Sequence, residues 1–268
     1  MNKKITLGGV DLDSWIQEER ENEMVSDKVE TTLSYERKLV AFLDLLGITR
    51  LIKDNTNGKE GEVIALMEKI KKIVEIEANE CNKREDFNLL HISDSFIFSS
   101  APEYLPQLLD LLSVIQMRIL IDCKIMLRGA IEFGEVIVKD YGRQIIGPAY
   151  INAYLSQEND AIYPRIIVSN NVIKLIEDEF PTYKKVILTY DRENALDYIE
   201  TYIVAESINK NNLTTKLRRE GIIDYLIDEY LKYDKQDIAS VRRKYGWTIS
   251  YFKNKGVWPK DGKKYCNW

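Results

Sequence analysis

Apolar positions along the chain fall into blocks with two different periods. LVAFLDLLGI (39–48) is a nearly continuous apolar run of strand length, interrupted by one carboxylate, Asp44. From Glu62 the spacing changes: Val63, Leu66, Met67, Ile70, Ile73 and Val74 recur at helical intervals, which predicts an amphipathic helix. FNLLHI (87–92) and SFIFSS (95–100) read as two short strands with Ser93 and Asp94 at the turn between them. Between Glu103 and Asp122, Leu105, Leu108, Leu109, Leu112, Ile115 and Ile119 share one helical face. IMLRGAIEFGEVIV (125–138) predicts a hairpin or a bent strand, with Gly129 and Gly134 where the backbone turns or meets a close neighbour. Gly147 and Pro148 open a helix that runs to about Gln157, since proline is tolerated in a first turn. PRIIVS (164–169) predicts a strand, 172–180 a helix and IETYIVA (199–205) a last strand. Residues 217–233 and 238–252 are helical patterns separated by a charged break.

The order is strand–helix–strand–strand–helix–strand–helix–strand, then helices, with no internal repeat. It divides the chain into a polar lead-in dense in Glu, Lys and Ser (1–37), a main domain (38–208) and a helical C-terminal extension (209–268). Hydrophobic residues at 45% and charged residues at 30% of 268 positions exclude a disordered or fibrous chain. The apolar runs are short of a bilayer span, and the opening MNKKITLGGVDLDSW carries Asp11 and Asp13, unlike a secretory signal. Cys81, Cys123 and Cys266 are an odd number without paired spacing, which predicts reduced thiols in a cytoplasmic protein. A net charge of −5 gives no global drive toward nucleic acid or anionic lipid. Neither GxxxxGK[ST] nor GxGxxG occurs. The single histidine, His91, leaves no Ser–His–Asp triad or histidine zinc site to assemble and reads as a core or edge residue near Asp94. The aromatic, basic end (Tyr245, Trp247, Tyr251, Phe252, Trp258, Trp268) reads as a cap on the sheet or a dimer, rather than as a surface for single-stranded nucleic acid.

Chemistry concentrates at two carboxylates. An ionised carboxylate inside an apolar strand costs several kcal/mol unless it is paired or bound to metal. Asp44 and Asp94, on neighbouring strands of one sheet, can hold a divalent cation between them, and oxygen donors favour Mg2+ or Mn2+. The turn from Leu45 to Thr49 offers backbone N–H groups to a triphosphate. The alternative places Asp44 at a strand end and makes Asp94 an ordinary turn residue.

FLDLLGI, SDSFIF, LRGAIEFGE, IGPAYINAY and YPRIIV follow one another over roughly residues 38–205. Together they resemble the class III nucleotide cyclase family, and within it the bacterial anti-phage pyrimidine cyclases of the Pycsar type. The resemblance implies an α+β fold, a palm or ferredoxin-like antiparallel sheet covered by helices. It implies that Asp44 and Asp94 hold two Mn2+ or Mg2+ ions, with the Leu45 carbonyl as a further ligand, and that Leu46, Gly47, Ile48 and Thr49 face the substrate. It also implies a homodimer with its sites at the interface, no membrane and no nucleic acid. The activity implied is conversion of UTP to 3′,5′-cyclic UMP and pyrophosphate, the product signalling to a separate effector in phage defence. CTP and cyclic CMP are the close alternative; a palm-type transferase joining two nucleotides and a non-catalytic nucleotide-binding dimerisation module are the others.

Departures from the family pattern sharpen this. Purine cyclases place lysine or glutamate where Leu90 stands, and their second polar partner falls here at Gln144 or Ile145, so the lock for a purine is missing. Tyr35 and Arg128 are candidates for base or phosphate contacts, Arg128 reading equally well as a structural ion pair. Asn152 matches the family's catalytic asparagine with a one-residue shift, but the arginine position after it is Ser156. Another cation, Arg165 or Arg143, must then meet the transition-state charge.

Overall fold

Glu36–Leu46 (β1) is buried on both faces from Lys38 to Leu43, which is why its sequence is apolar without alternation. The computed structural model describes residues 6–7, 10–11, 34–55, 60–82, 86–139, 142–190, 193–235 and 238–260. After β1 the chain forms α1 (Ile48–Asp54), α2 (Glu60–Asn82), the hairpin β2 (Phe87–Ile92) and β3 (Ser95–Ser100), α3 (Leu105–Cys123) and β4 (Met126–Lys139). Then follow β5 (Gln144–Ile146), α4 (Pro148–Asn159), β6 (Ile166–Val168), α5 (Asn170–Glu179), β7 (Ile187–Tyr190) and β8 (Glu193–Leu196). Four helices close the chain: α6 (Tyr198–Ala205), α7 (Lys210–Arg219), α8 (Ile222–Lys235) and α9 (Ala239–Asn254). The strands lie in the order β2-β3-β1-β4-β6-β8-β7, with β5 paired to β4. This is the expected α+β sheet covered by helices. It is antiparallel except at β4 and β6, which run parallel.

The two faces of β1 meet different partners. Leu39, Ala41, Leu43 and Leu45 pack with Ile70 and Val74 of α2 and with Leu108, Leu112 and Ile115 of α3. Val40 and Phe42 face the other way, onto Ile97 and Val136 and the small Ala149 and Ala153 of α4. Gly129 is required at the β1–β4 crossing, since a Cβ there would lie 2.6 Å from both the Leu43 side chain and the Phe42 carbonyl oxygen. Helix α3 has the length and composition of a membrane span, but most of it is buried inside the protein as a core helix.

Four expectations are corrected. Residues 125–138 are a single long strand, and the turn back comes later, where β5 pairs with the far end of β4. Residues 199–205 are a helix: the buried Asp197 caps it by accepting from the Glu200 N–H and is itself held by Tyr251 Oη at 2.6 Å and by Lys255. The pattern over 217–233 divides at Gly221, whose φ of +68° ends α7 and starts α8. Strands β7 and β8 were not anticipated. In the C-terminal segment Tyr245, Tyr251, Phe252 and Trp258 pack with Tyr198 and Tyr202 of α6 and with Leu46 and Met126 at the sheet's end, as a cap. Trp268 lies outside the described residues.

Residues 36–268 form one compact unit, within which the described part of the extension, 209–260, packs. Cys123 is a free thiol, and Cys266 lies outside the described residues. Residues 1–35 form a separate unit whose described part includes the ladder of Thr6–Leu7 with Val10–Asp11; most of the polar lead-in lies outside the described residues.

Candidate active site

Alternation along β1 puts Asp44 on the face of Val40 and Phe42, one step past the end of the apolar cover that α4 supplies. In register it stands opposite Ser95 on one side and Arg128 on the other. Arg128 Nε donates to Asp44 Oδ2 at 3.0 Å, with both side chains more than four-fifths buried. Helix α4 reaches the same pair. The Gln157 amide, turned so that its oxygen meets the guanidinium, accepts from Arg128 at 2.9 and 3.0 Å, and Glu158 Oε2 accepts from Arg128 Nη2 at 3.3 Å.

Asp94 arrives from the hairpin. Its carbonyl accepts from the Leu45 N–H at 3.2 Å, which ties the turn to the end of β1 and brings the second carboxylate beside the first. Burial pushes the Asp44 carboxyl above its usual range; Arg128 opposes that shift, while Asp94 and Glu158 add to it. A buried carboxylate pushed up further by a neighbouring carboxylate is an arrangement a divalent cation relieves. Carboxylate and peptide oxygens suit a hard ion such as Mg2+ or Mn2+. Among the described residues no group of three His, Cys, Asp or Glu side chains is placed to hold a metal.

The turn after Asp44 is tight. Leu46 is buried, and Gly47 has φ +90°, a left-handed conformation that lets β1 pass directly into α1. Ile48 is buried and Thr49 exposed. Ile48, Ile64, Met67, His91, Ser93 and Asp94 line a mostly apolar cavity of about 450 Å³ beside the hairpin turn. His91 stacks on Phe96 with ring centroids 4.6 Å apart, and its Nε2 lies 2.8 Å from the Ser93 carbonyl oxygen, so it is an edge histidine at the cavity wall. Leu90 and Ile145 join one apolar cluster with Val40 and Phe42, while Gln144 is exposed.

Asn152 is exposed on α4, Arg143 is exposed ahead of β5, and Tyr35 is exposed at the end of the N-terminal unit. Arg165 is 3% exposed, is paired with Glu193 and lines a different cavity with Trp247 and Tyr251. Its charge is held in a structural ion pair. Sequence reasoning missed Gln157 and Glu158. A signal for the first existed: Gln157 continues, at four-residue spacing, the buried stripe of Ala149 and Ala153.

No family model matches the chain, and no curated protein matches it. Among solved structures, a class III adenylyl cyclase-like ATP-binding protein from Pseudomonas aeruginosa is 15% identical, with a TM-score of 0.46 over 64% of this chain and 40% of that one. The catalytic core of a rhodopsin-guanylyl cyclase with converted specificity, in complex with ATPalphaS, is 15% identical, with a TM-score of 0.44 over 60% of this chain and 95% of that one. The guanylate cyclase domain of RhGC from Catenaria anguillulae, in complex with GTP, is 18% identical, with a TM-score of 0.42 over 60% of this chain and 94% of that one.

Proposed function

We propose that the chain is a pyrimidine nucleotide cyclase that converts UTP to 3′,5′-cyclic UMP and pyrophosphate. The observation that carries this reading is the Asp44–Asp94 pair, with the hairpin turn tied to the end of β1 by the Leu45–Asp94 backbone bond. The ribose 3′-oxygen attacks the α-phosphorus, the bond to the β-phosphate oxygen breaks, and the 3′-hydroxyl proton passes to solvent. Divalent cations bound at the pair supply a lowered pKa for that hydroxyl and neutralise charge on the departing pyrophosphate. Arg128 holds the Asp44 carboxylate in place, and Gln157 and Glu158 hold Arg128. Rate then comes from positioning and electrostatics, as in other phosphoryl transfers.

The pyrimidine assignment rests on Leu90 and Ile145, two aliphatic side chains in one cluster at the positions where the sequence resemblance would put polar contacts to a purine. CTP is the second substrate to test. A homodimer is supported by Ile151, Tyr154 and Leu155, exposed together on α4 around the ring contact of Tyr154 with Phe42 at 5.4 Å. The product would act on a separate effector in a cytoplasmic anti-phage response.

A second reading, a nucleotide-binding module without turnover, draws on the distance of Arg165's chemistry from the site and the exposure of Asn152. Incubation with each of ATP, GTP, CTP and UTP plus Mn2+, with products identified by mass spectrometry, separates the two. A cyclic pyrimidine monophosphate that disappears in Asp44→Ala supports the cyclase and names the base. Nucleotide binding with no product from any of the four supports the module.

A further inference from the structure

We propose that the C-terminal extension completes the active site: the cleft between the β1–α1 turn and helices α8 and α9 receives the β- and γ-phosphates of the nucleotide, and Lys244 contacts them. The proposal rests on the cyclase reading for its ligand and on the cleft for everything else. The cleft, of about 380 Å³, begins at Leu46 and Gly47, immediately after Asp44, and presents Arg50, Lys124, Lys232 and Lys244 against one carboxylate, Glu229. In a chain whose net charge is −5, that local excess of cations calls for a polyanion.

Aromatic rings hold the cations in place. The Arg50 guanidinium lies 4.8 Å and the Lys232 ammonium 5.1 Å from the centre of the Tyr233 ring, and the Lys124 ammonium 5.7 Å from that of Tyr225. Tyr225 Oη donates to the Lys124 carbonyl at 2.6 Å and lies 3.1 Å from Tyr245 Oη, which fastens α8 and α9 to the core beside the turn. Glu229 is paired with Lys232 at 3.0 Å. Lys244 differs from its neighbours. It is half-buried, and no described carboxylate stands within ion-pair distance of it, while Arg128 and Asp44 are the charges that act on it. Burial and the Arg128 guanidinium both lower its ammonium pKa. A partly desolvated ammonium with no described carboxylate partner, acted on by a guanidinium, is costly in the free protein, and phosphate oxygens offset that cost.

The test is a calorimetric titration of inorganic tripolyphosphate into the full chain without divalent metal, so that Asp44 and Asp94 contribute only repulsion. Wild type should bind, and Lys244→Gln should bind at least about tenfold more weakly, the range expected for one charge-assisted contact. Lys244→Arg should restore most of the affinity. Lys232→Gln, at a more exposed position, should weaken binding about threefold. Lys253→Gln, on the same helix outside the cleft, should bind as wild type does. Thermal unfolding of each variant confirms that it is folded. No tripolyphosphate binding by wild type, or equal binding by Lys244→Gln and Lys253→Gln, overturns the proposal. Cyclic product formed with an unchanged KM by Lys244→Gln overturns it too and leaves the cyclase reading standing. Lys244-dependent binding in a protein that cyclises no nucleotide does the reverse.

Discussion

The odd and even residues of β1 live in different proteins, chemically speaking. Leu39, Ala41, Leu43 and Leu45 sit under two long helices, fully removed from water. Val40, Phe42 and Asp44 sit under one short helix whose inward residues are alanines and a glutamine, so cover runs out where Asp44 begins. The first face supplies stability through buried area, at about 25 cal/mol per Å². The second gives up apolar cover to hold a carboxylate at the edge of the core, mostly buried and paired with Arg128. One strand does both because its period of two keeps the faces independent.

Neighbouring substitutions on β1 test that independence most severely. Asp44→Asn should lower product formation by about a thousandfold or more, because the transition-state charge loses its cation. Its stability should change by less than about 1 kcal/mol, since Arg128 keeps Glu158 and Gln157 as partners. Leu43→Ala, one residue away, should cost about 2–5 kcal/mol of stability. Denaturant unfolding alongside the cyclase assay reads both. Equal stability losses at the two positions would erase the distinction between the faces.

Gly129→Ala attacks both faces at once. The added methyl meets a side chain, which can move, and the Phe42 carbonyl, which cannot without shifting β1. Separation of β1 from β4 should cost about 1–3 kcal/mol and loosen the Asp44–Arg128 pairing that depends on their register. The expected outcome is a lower unfolding midpoint together with reduced kcat.

How much of this the sequence discloses depends on where each residue's partners lie. The β2–β3 hairpin was legible to the residue because its strands and turn are set locally. Asp44 and Asp94 were legible because a charge in an apolar strand and a turn beside it are anomalies within a few positions. IETYIVA was misread because its β-branched residues suit a strand, while the cap that makes it a helix is secured by Tyr251 and Lys255, far along the chain. Lys244 escaped for the same reason, since nothing near it in sequence marks it and only tertiary packing brings it under the influence of Asp44, whereas Gln157 carried a local signal in the stripe of Ala149 and Ala153.

Arg165 sharpens the line between structural and catalytic cations. The sequence resemblance left it to meet transition-state charge, whereas its burial and its Glu193 pairing make it part of the sheet. Arg165→Gln should cost about 1–2 kcal/mol, below the range for fully buried pairs because Glu193 is one-third exposed. Per folded molecule, kcat should hold. A loss of kcat without a loss of stability would return Arg165 to the site.

The smallest effect on stability belongs to the outer surface of α4. Ala149, Ala153 and Gln157 face inward, so Ile151, with 53% of its surface exposed, adds little to the fold. Ile151→Glu should change unfolding free energy by no more than about 0.5 kcal/mol. If the exposed Ile151, Tyr154 and Leu155 meet their counterparts in a second copy, the same change buries a charge twice across a two-fold axis. Sedimentation should then show the dimer giving way to monomer, and activity should fall with it while tripolyphosphate binding at the Lys244 cleft, built within one chain, persists. Activity and mass that both stay unchanged would place the dimer on another face, and the even side of β1 would then owe its thin cover to the substrate alone.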